Sequence, residues 1–308
     1  MTQISMVVVG SANMDFTLKV REFPRPGETI TAREFDTRPG GKGANQAIAA
    51  ARLGAKVSIF AAIGTDEHAP SLRRALEENV VSTTHLVDVP GSSGIAVITI
   101  DRRGENTVTV APGANAALSV PHLEGLVDAL AGCSFLLLQL EVPMPTVLEA
   151  ARVAREQGVR VMLNAAPLSQ WPHPELAAIL QLVDVLVVNE TEAAMLGAPS
   201  ADPQGAEFLR SLGPAAVVIT VGEHGAAAAH REGAEHVASI VVEAIDTVGA
   251  GDSFCAELAV ALSDGLSLPA AVRRGNVAGA LATTKHGSLS AVPLRSEVDR
   301  VLAEVEAG

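Results

Sequence analysis

The sequence predicts an α/β fold of three layers, in which helices cover both faces of a mainly parallel central sheet. Short β-branched apolar runs alternate along the chain with longer stretches rich in alanine and leucine, an alternation typical of parallel sheets with helical crossovers. The 308 residues are 48% hydrophobic, which is enough to build one large core. We expect a single domain spanning residues 1–308.

Each predicted element follows from its local pattern. Buried strands are predicted where apolar runs are short and uninterrupted, at 4–10, 57–61, 135–138, 159–163, 185–188 and 217–221. Helices are predicted in the alanine- and leucine-rich stretches at 44–53, 71–78, 145–157, 191–196, 202–212, 253–263, 269–284 and 295–304.

Two segments interrupt this alternation. Residues 16–20 with 29–33, and residues 95–100 with 107–110, have the pattern of antiparallel hairpins with Pro-Gly and Arg-Arg-Gly turns. Neither pair is followed by a helix of its own to lie against. Both pairs therefore break the pattern of the central sheet.

The segment from Asp246 to Phe254 carries the strongest chemical signal. Glycines flank Ala250 at the predicted start of a helix, where the first N–H groups lack intrahelical partners and the helix dipole favours an anion. Asp252 lies in the same turn, and a carboxylate there is suited to accept a proton from a hydroxyl that attacks a phosphoryl group. From these residues alone, a helix capped by Asp252 after a glycine turn is an equal alternative.

A second glycine cluster, from Gly40 to Gly43, opens another alanine-rich segment. It lets a ligand approach the backbone closely, and Asn45 offers a donor and an acceptor to a polyol. Upstream, Asn13 and Asp15 are two residues apart, so in extended chain they point to the same side. These side chains are suited to sugar hydroxyls, although each fragment alone fits a turn or a helix cap better.

Together these strings resemble the ribokinase family of sugar kinases, also called the phosphofructokinase-B family. The resemblance runs along nearly the whole chain, at residues 10–15, 23–29, 40–46, 112–118, 138–141, 189–192, 220–225 and 246–254. The Gly-Gly-Lys-Gly-Ala-Asn-Gln-Ala and Asp-Thr-x-x-Ala-Gly-Asp strings, in this order, are the most specific part. The family fold has a small β-sheet lid over the sugar site, here implied near residues 12–37 and 92–112.

The resemblance implies ATP-dependent phosphorylation of D-ribose at the 5-hydroxyl. Asp252 is then the general base, and the amides of Gly249, Ala250 and Gly251 form the anion hole. The implied sugar-binding residues are Asn13, Asp15, Gly41, Lys42, Gly43, Asn45, Glu141 and Asp252. Glu141 also follows a buried strand, at the sheet edge where ligands bind in open α/β folds. The alternative is a strand-end carboxylate that faces solvent.

The resemblance also implies where ATP binds. Its nucleotide-binding residues are Asn189, Thr220, Val221, Gly222, Glu223, Gly225, Gly251 and Asn276. For Asn276, an ordinary residue on the surface of a helix is nearly as good an interpretation.

Two cations are implied as well. Glu192 is expected to hold Mg²⁺ through water. Without the resemblance, Asn189 and Glu192 form an N-cap and a capping box, and both interpretations can hold together. A monovalent cation, K⁺, is implied between two loops, with the Asp246 carboxylate and the carbonyls of Val248, Lys285 and Gly287 as ligands. The chain has Ala291 where a hydroxyl-bearing residue is expected, with Ser290 beside it.

Composition narrows the classes of partner. The net charge of −13 argues against nucleic acid, which requires a basic face. The sequence has no apolar run long enough to span a membrane and no signal-like opening, so we expect a cytoplasmic protein. Cys133 and Cys255 are expected to be buried thiols in a reducing compartment. The edges of the lid sheet predict a homodimer that pairs two lids.

Three other functions remain open at this point. A kinase for 2-deoxyribose or fructose would keep nearly every motif. A nucleoside kinase usually needs an aromatic platform for the base, and this chain has no Tyr and one Trp. A sugar-sensing protein without catalysis would be expected to lose Asp252 or Glu192, and both are present.

Overall fold

The computed structural model describes residues 3–169 and 171–307. Its strands are β1 (Ser5–Val9), β2 (Asn13–Lys19), β3 (Glu34–Gly40), β4 (Lys56–Ile63), β5 (Val81–Asp88), β6 (Gly94–Ile100), β7 (Asn106–Ala111), β8 (Phe135–Gln139), β9 (Arg160–Asn164), β10 (Val185–Asn189), β11 (Ala216–Thr220), β12 (Ala226–His230) and β13 (Gly233–Val237). Its helices are α1 (Lys42–Arg52), α2 (Ala69–Glu78), α3 (Leu126–Leu130), α4 (Met144–Glu156), α5 (Pro174–Leu180), α6 (Glu190–Met195), α7 (Pro203–Arg210), α8 (Ala250–Ser263), α9 (Leu268–Thr283), α10 (Ser288–Ala291) and α11 (Arg295–Ala307).

The large sheet has the strand order β13-β12-β11-β10-β9-β8-β1-β4-β5 in the described residues. Its strands from β11 through β5 pair in parallel, and only β12 and β13 join antiparallel at one edge. This confirms the predicted α/β class, and every predicted strand of the central sheet lies within one or two residues of an observed one. Because the strands are parallel, their carboxyl ends share one edge, where ligands bind in such folds.

The three layers follow from the alternation of side chains along each strand. On β1, Met6 and Val8 belong to the core that packs against α1, α8 and α9. Val7 and Val9 point to the other face, into the core that packs against α4, α5 and α7. The central sheet is therefore buried on both faces, as its near-continuous apolar strands predict.

The lid is a second sheet with the order β3-β2-β6-β7. The hairpins β2–β3 and β6–β7 are antiparallel, and β2 pairs in parallel with β6, so the two predicted lid segments form one sheet. Phe16 and Phe35 stack across the first hairpin with ring centroids 5.9 Å apart.

One predicted lid strand is wrong. The partner of β2 is Glu34–Gly40, whereas residues 29–33 lie in the connecting loop. The local pattern at 29–33 favours a strand, but pairing decides the outcome: Asn13 lies opposite Gly40 and Asp15 opposite Arg38. This longer hairpin brings the glycine cluster to the start of β2. Pro39 is tolerated because β3 is an outer strand of the lid.

The two thiols differ in burial. Cys255 is buried in the core of α8, as predicted, but Cys133 is only half-buried, so that expectation was wrong. Cys133 lies in the turn before β8, where its Sγ donates to the Ala129 carbonyl at 3.0 Å.

Among the helices of the described residues, none combines the length and the apolar character that crossing a membrane requires.

Candidate active site

Glu141 lies just after β8 and collects several donors on one carboxylate oxygen. Its Oε2 accepts from Asn13 Nδ2 at 3.3 Å and from the Lys42 backbone N–H at 3.1 Å, and the Ser11 hydroxyl also donates to it. These donors come from the start of β2, from the start of α1 and from the turn after β1. The predicted sugar residues Asn13, Lys42 and Glu141 therefore meet at the carboxyl edge of the large sheet.

Asp15 is buried on β2, with 7% of its surface exposed. Burial, together with the negative charges of Glu141 and Asp252, raises the pKa of Asp15 to about 8, and the Lys42 charge opposes this only in part. These electrostatic interactions place Asp15 in the same cluster as the other predicted acids. At neutral pH its carboxyl is mostly protonated, so it can both donate and accept a hydrogen bond.

Gly41 brings this cluster together. Its φ is +91°, and a Cβ there would lie 2.7 Å from the Asn13 backbone nitrogen, so only glycine fits. The start of α1 can thereby lie directly against β2, with Gly43 on its first turn. Burial alone would lower the pKa of Lys42, but the negative charges of Asp252, Glu141 and Glu192 outweigh burial and raise it.

Asp252 lies in the first turn of α8, as the glycine-rich string predicts. Gly249 caps the helix in the left-handed region with φ +81°, and Asp252 is 7% exposed. Its Oδ2 accepts from Asn45 Nδ2 at 2.9 Å, and its Oδ1 accepts from Gln46 Nε2 at 3.1 Å. The two predicted functional segments, one near each end of the chain, therefore meet at this carboxylate.

The three amides of the predicted anion hole are not equivalent. The N–H of Ala250 donates to the Thr247 carbonyl at 3.3 Å, so it takes part in the turn that starts α8. Gly251, one residue further, lines the cavity described next. Of the three predicted donors, the Ala250 N–H is therefore already in contact with a protein acceptor.

Two cavities flank the start of α8. The first, of about 660 Å³, lies under the lid and is bordered by Asp15, Arg38 and Asp246. The second, of about 590 Å³, is bordered by Ala250 and Gly251. The two cavities share Ala244 and Thr247 as lining residues.

Most of the predicted nucleotide residues line the second cavity. These are Thr220, Gly222, Glu223, Gly225, Gly251 and Asn276. Val221 is instead buried, and Asn189 is exposed and does not border this cavity. Asn276 is not an ordinary surface residue, because it is 6% exposed and its Nδ2 donates to the carbonyls of Val237 at 2.9 Å and Ala238 at 3.2 Å.

Asn189 and Glu192 form the capping box that their spacing allows. Asn189 Oδ1 accepts from the Glu192 N–H at 2.8 Å, and Glu192 Oε2 accepts from the Asn189 N–H at 2.9 Å. Burial raises the pKa of Glu192, while its Asn189 bond and the Lys42 charge act in the opposite direction. Across the described residues no group of three or more His, Cys, Asp and Glu side chains could hold a metal. A divalent ion at Glu192 would need most of its ligands from water and phosphate.

Asp246 joins the two loops of the predicted K⁺ site. Its Oδ1 accepts from the Val248 N–H at 3.0 Å, and its Oδ2 accepts from the Gly287 N–H at 2.9 Å. The side chain of Lys285 pairs with Glu297 at 3.2 Å. A carboxylate beside main-chain carbonyls is a donor set that suits a weakly hydrated monovalent cation, so the residue types predicted for this site are compatible with K⁺. Ala291 is buried, and Ser290 Oγ donates to the His286 carbonyl.

Sequence reasoning missed three residues of this region. Ser11 contributes its hydroxyl to Glu141, and Gln46 contributes its amide to Asp252. Asn115 clamps the start of β2, since its Nδ2 donates to Asn13 Oδ1 at 2.7 Å and its Oδ1 accepts from the Ala12 N–H at 2.9 Å. All three lie inside strings that carry the family resemblance, which was the available signal.

Comparison with known proteins agrees with this geometry. Residues 3–295 match the sequence family described as pfkB family carbohydrate kinase. Ribokinase of Haemophilus influenzae is 38% identical over 299 residues, covering 95% of this chain and 96% of that protein. Deoxyribokinase of Salmonella typhi is 32% identical over 306 residues, which cover 97% of this chain and 99% of that protein. The structure of Arabidopsis thaliana ribokinase complexed with ribose and ATP superposes with a TM-score of 0.87 at 29% identity, covering 98% of this chain and 99% of that one.

Proposed function

The chain belongs to the pfkB family of carbohydrate kinases and is an ATP-dependent sugar kinase, and from this premise we propose that it phosphorylates D-ribose at the 5-hydroxyl. The relatives named ribokinase and the ribose- and ATP-bound structure support the sugar and the donor. We also propose that the enzyme acts in the cytoplasm.

The arrangement of the two cavities carries this proposal. The cavity under the lid borders Asp15, and the other cavity borders the predicted nucleotide loop. They share Ala244 and Thr247 as lining residues, in the chain that leads into α8. Of the residues proposed to hold the sugar, only Asp15 lines the cavity under the lid, and Asp252 lines neither cavity. The sugar would therefore lie between that cavity and the cluster around Glu141, with ATP in the second cavity and Asp252 between the two.

In the proposed reaction, Asp252 accepts the proton of the 5-hydroxyl as that oxygen attacks the γ-phosphorus. A new O–P bond forms, the bond from the γ-phosphorus to the β,γ-bridging oxygen breaks, and ADP leaves with its electron pair. The amides of Gly249, Ala250 and Gly251 donate to the transferring phosphoryl oxygens. Because phosphoryl transfer needs little covalent work from the protein, positioning and electrostatics supply most of the rate.

The sugar is held by polar groups that the structure brings to one edge of the sheet. Asn13, Asp15 and Glu141 supply amide and carboxyl groups, and Asn45 adds an amide beside Asp252. Gly41 and Gly43 allow backbone approach, and Lys42 adds positive charge. The lid above them would exclude water from the transferring phosphoryl group.

Two cations complete the proposal. Glu192 would hold Mg²⁺ through water, and Asp246 with the carbonyls of Val248, Lys285 and Gly287 would hold K⁺. Mg²⁺ supplies charge neutralisation on ATP, and K⁺ supplies order to the loop that precedes the anion hole.

2-Deoxyribose is the strongest rival substrate, because a deoxyribokinase is among the relatives. A nucleoside is a weaker rival. Trp171, the one tryptophan, packs against the core on the face of the sheet opposite α1 and α8, so it offers no platform for a base, and Phe35 is the aromatic residue that lines the cavity under the lid.

The decisive experiment compares two enzymes on two sugars. A site that hydrogen-bonds a hydroxyl discriminates against the analogue lacking it by up to about 10⁴. The parent should therefore have a higher kcat/KM for D-ribose than for 2-deoxyribose, and for both than for adenosine. Asp15→Ala should lose more kcat/KM on ribose than on 2-deoxyribose. Equal losses on both sugars would show that Asp15 does not contact the 2-hydroxyl, and a parent that prefers adenosine would overturn the assignment of ribose.

The proposal also includes a homodimer formed through the lids. The two outermost lid strands, β3 and β7, each carry a large exposed apolar side chain, Phe35 at 61% and Val108 at 54%. Pairing two lids about a two-fold axis would cover both.

A further inference from the structure

We propose that Gln46 is a positioning residue for phosphoryl transfer, and that a chain of buried amides from Gln139 through Gln46 holds the Asp252 carboxylate in one orientation. This inference rests on the proposed role of Asp252 as the base. Gln46 is hydrogen-bonded to the Asp252 carboxylate, and Gln139 is hydrogen-bonded to Gln46.

The chain is continuous in the structure. Gln139 Nε2 donates to Gln46 Oε1 at 2.6 Å, and Gln46 Nε2 donates to Asp252 Oδ1 at 3.1 Å. The same Nε2 lies 3.3 Å from Asn164 Oδ1. Asn45 Nδ2 holds the other carboxylate oxygen at 2.9 Å. Consecutive residues of α1 thus fix both oxygens of one carboxylate.

The direction of every amide in this chain is determined by its ends. The Val187 carbonyl can only accept, and Asn164 Nδ2 donates to it at 3.3 Å, which turns Asn164 Oδ1 toward Gln46. An ionised Asp252 also only accepts. Gln46 must therefore present its NH₂ group to both, and its Oε1 to Gln139. This orientation satisfies Asp252, both polar atoms of Gln46 and Asn164, while Gln139 Oε1 is left without a partner among the described residues.

Apart from Asp252, the residues to which the Gln46 side chain is hydrogen-bonded lie in the large sheet. Gln139 on β8 lies opposite Asn164 on β9, and Asn164 lies opposite Val187 on β10, so the anchors form one row across three adjacent strands. A row of main-chain pairs is stiff, and it carries its side chains with it. The position of the Gln46 amide is consequently set by the sheet and transmitted to the start of α8.

Burial shows that these glutamines are not solvent-facing residues. Gln46 is 1% exposed and Gln139 is 0% exposed. Within the described chain, Gln139 Oε1 has no hydrogen-bond partner, and leaving a buried acceptor unpaired destabilises the fold. Apolar residues would fill this volume without that cost, so the amides are better explained by what they do for Asp252.

Removing the Gln46 donor has two consequences. The carboxylate can rotate away from the substrate hydroxyl, and its Oδ1 loses the hydrogen bond that fixes its position. Neither consequence touches the sugar contacts of Asp15 and Glu141. The effect should therefore appear in kcat, with KM for ribose left nearly unchanged.

The experiment measures kcat and KM for ribose in the parent, in Gln46→Leu and in the exposed control Gln157→Leu. We expect kcat of Gln46→Leu to fall by about tenfold and KM to change by less than about threefold. The control should match the parent. A kcat within about twofold of the parent, or a loss that appears in KM instead, would overturn the proposal.

A second variant tests the same chain of amides in case Gln46→Leu does not fold. Gln139→Met changes a residue that does not contact Asp252 and removes only the donor to Gln46 Oε1. Its kcat should fall by a smaller factor than that of Gln46→Leu, and a folded Gln139→Met with the kcat of the parent would count against the chain.

The failure of this inference can be told apart from failure of the proposed base. If Asp252→Asn retains the kcat of the parent, Asp252 is not the base. If Asp252→Asn is impaired, Gln46→Leu should add little to it, because the positioning acts through the carboxylate. A full tenfold loss in both backgrounds would show that Gln46 acts elsewhere.

Discussion

The guanidinium of Arg38 donates to the main-chain carbonyl of His286 at 3.1 Å, and thereby joins the lid to the loop proposed to bind K⁺. The same nitrogen lies 3.2 Å from Ser290 Oγ. Arg38 lies on β3 directly opposite Asp15, so one lid strand contacts both the sugar cluster and the cation loop. The position of the lid and the order of this loop are therefore physically connected.

Potassium should activate the enzyme beyond its effect on ionic strength. Ordering the loops that Asp246 joins would hold the chain before α8 in one conformation, and with it the amides proposed to donate to the phosphoryl group. Initial rates in KCl and in tetramethylammonium chloride at matched ionic strength test this. Equal rates in the two salts would contradict a K⁺ site.

Replacing Arg38 should weaken that activation. Arg38→Gln removes the contact with the His286 carbonyl, so the K⁺ concentration for half-activation should rise by roughly threefold to tenfold. Arg33→Gln, an exposed arginine of the same lid segment, is the matched control and should leave it unchanged. If Arg38→Gln leaves the K⁺ dependence unchanged, the contact between the lid and the loop at His286 does not affect activation by K⁺.

Asp252→Asn should lower turnover by about 10²–10⁴, because the amide keeps the size of the side chain but cannot accept the proton. Ribose binding, measured by titration calorimetry, should remain within a few-fold of the parent. Turnover that stays close to that of the parent would exclude Asp252 as the base.

Glu192→Gln should raise the Mg²⁺ concentration for half-maximal rate by roughly tenfold, since a charge near the ion is lost. Thermal stability should hold, because glutamine also completes the capping box. Glu190→Gln, in the same helical turn and exposed, should alter neither property. An unchanged Mg²⁺ requirement would leave Glu192 as a helix cap only.

Asp15 should give folding stability a defined pH dependence. Its pKa rises from 3.8 to about 8 on folding, so between these values the folded protein holds a proton that the unfolded chain has released. The free energy of unfolding then falls as pH rises through this window, by up to about 1.4 kcal/mol per pH unit from this group. Below pH 4 and above pH 8 the contribution is constant.

Urea denaturation of the parent and of Asp15→Asn at pH 5, 6, 7 and 8 measures this slope. The difference in unfolding free energy between the two proteins should change steadily across the series in favour of the variant. Asp128→Asn, at an exposed aspartate, should leave the slope of the parent unchanged. A difference that is constant with pH would show that Asp15 titrates near its ordinary value.

The dimer through the lids predicts that Phe35→Lys and Val108→Lys weaken association. Light scattering at micromolar concentration should give twice the 31.6 kDa chain mass for the parent and a lower mass for the double variant. Val305→Lys, at an exposed valine on α11, serves as control. A parent that is monomeric at this concentration would remove the dimer from the proposal.

The sequence could predict six strands of the large sheet, namely β1, β4, β8, β9, β10 and β11, because they have strong apolar patterns, whereas β5, β12 and β13 at its two edges were missed. It could not predict β12, whose run of alanines at Ala226–Ala229 has no local preference for a strand and is ordered by antiparallel pairing with β11. The partner of β2 was misassigned for a similar reason, because pairing register outweighs the local preference of residues 29–33.

The chemistry of the site was predictable where glycines and acids cluster in the sequence. Gln46 was not, because an amide on a helix gives no sign of whether it faces water or a buried carboxylate. That distinction depends on the packing of α1 against α8, between segments far apart in the chain.

The connection of the lid has a consequence for the order of folding. β2 and β6 are neighbours in the lid, yet β4, α2 and β5 lie between them in the chain, so their pairing closes a long loop. That loop becomes short in space only after β4 and β5 have joined β1 in the large sheet. We expect the β2–β6 pairing to form last and to open first. In hydrogen exchange, lid amides should therefore exchange by local opening, well before those of β1 and β8.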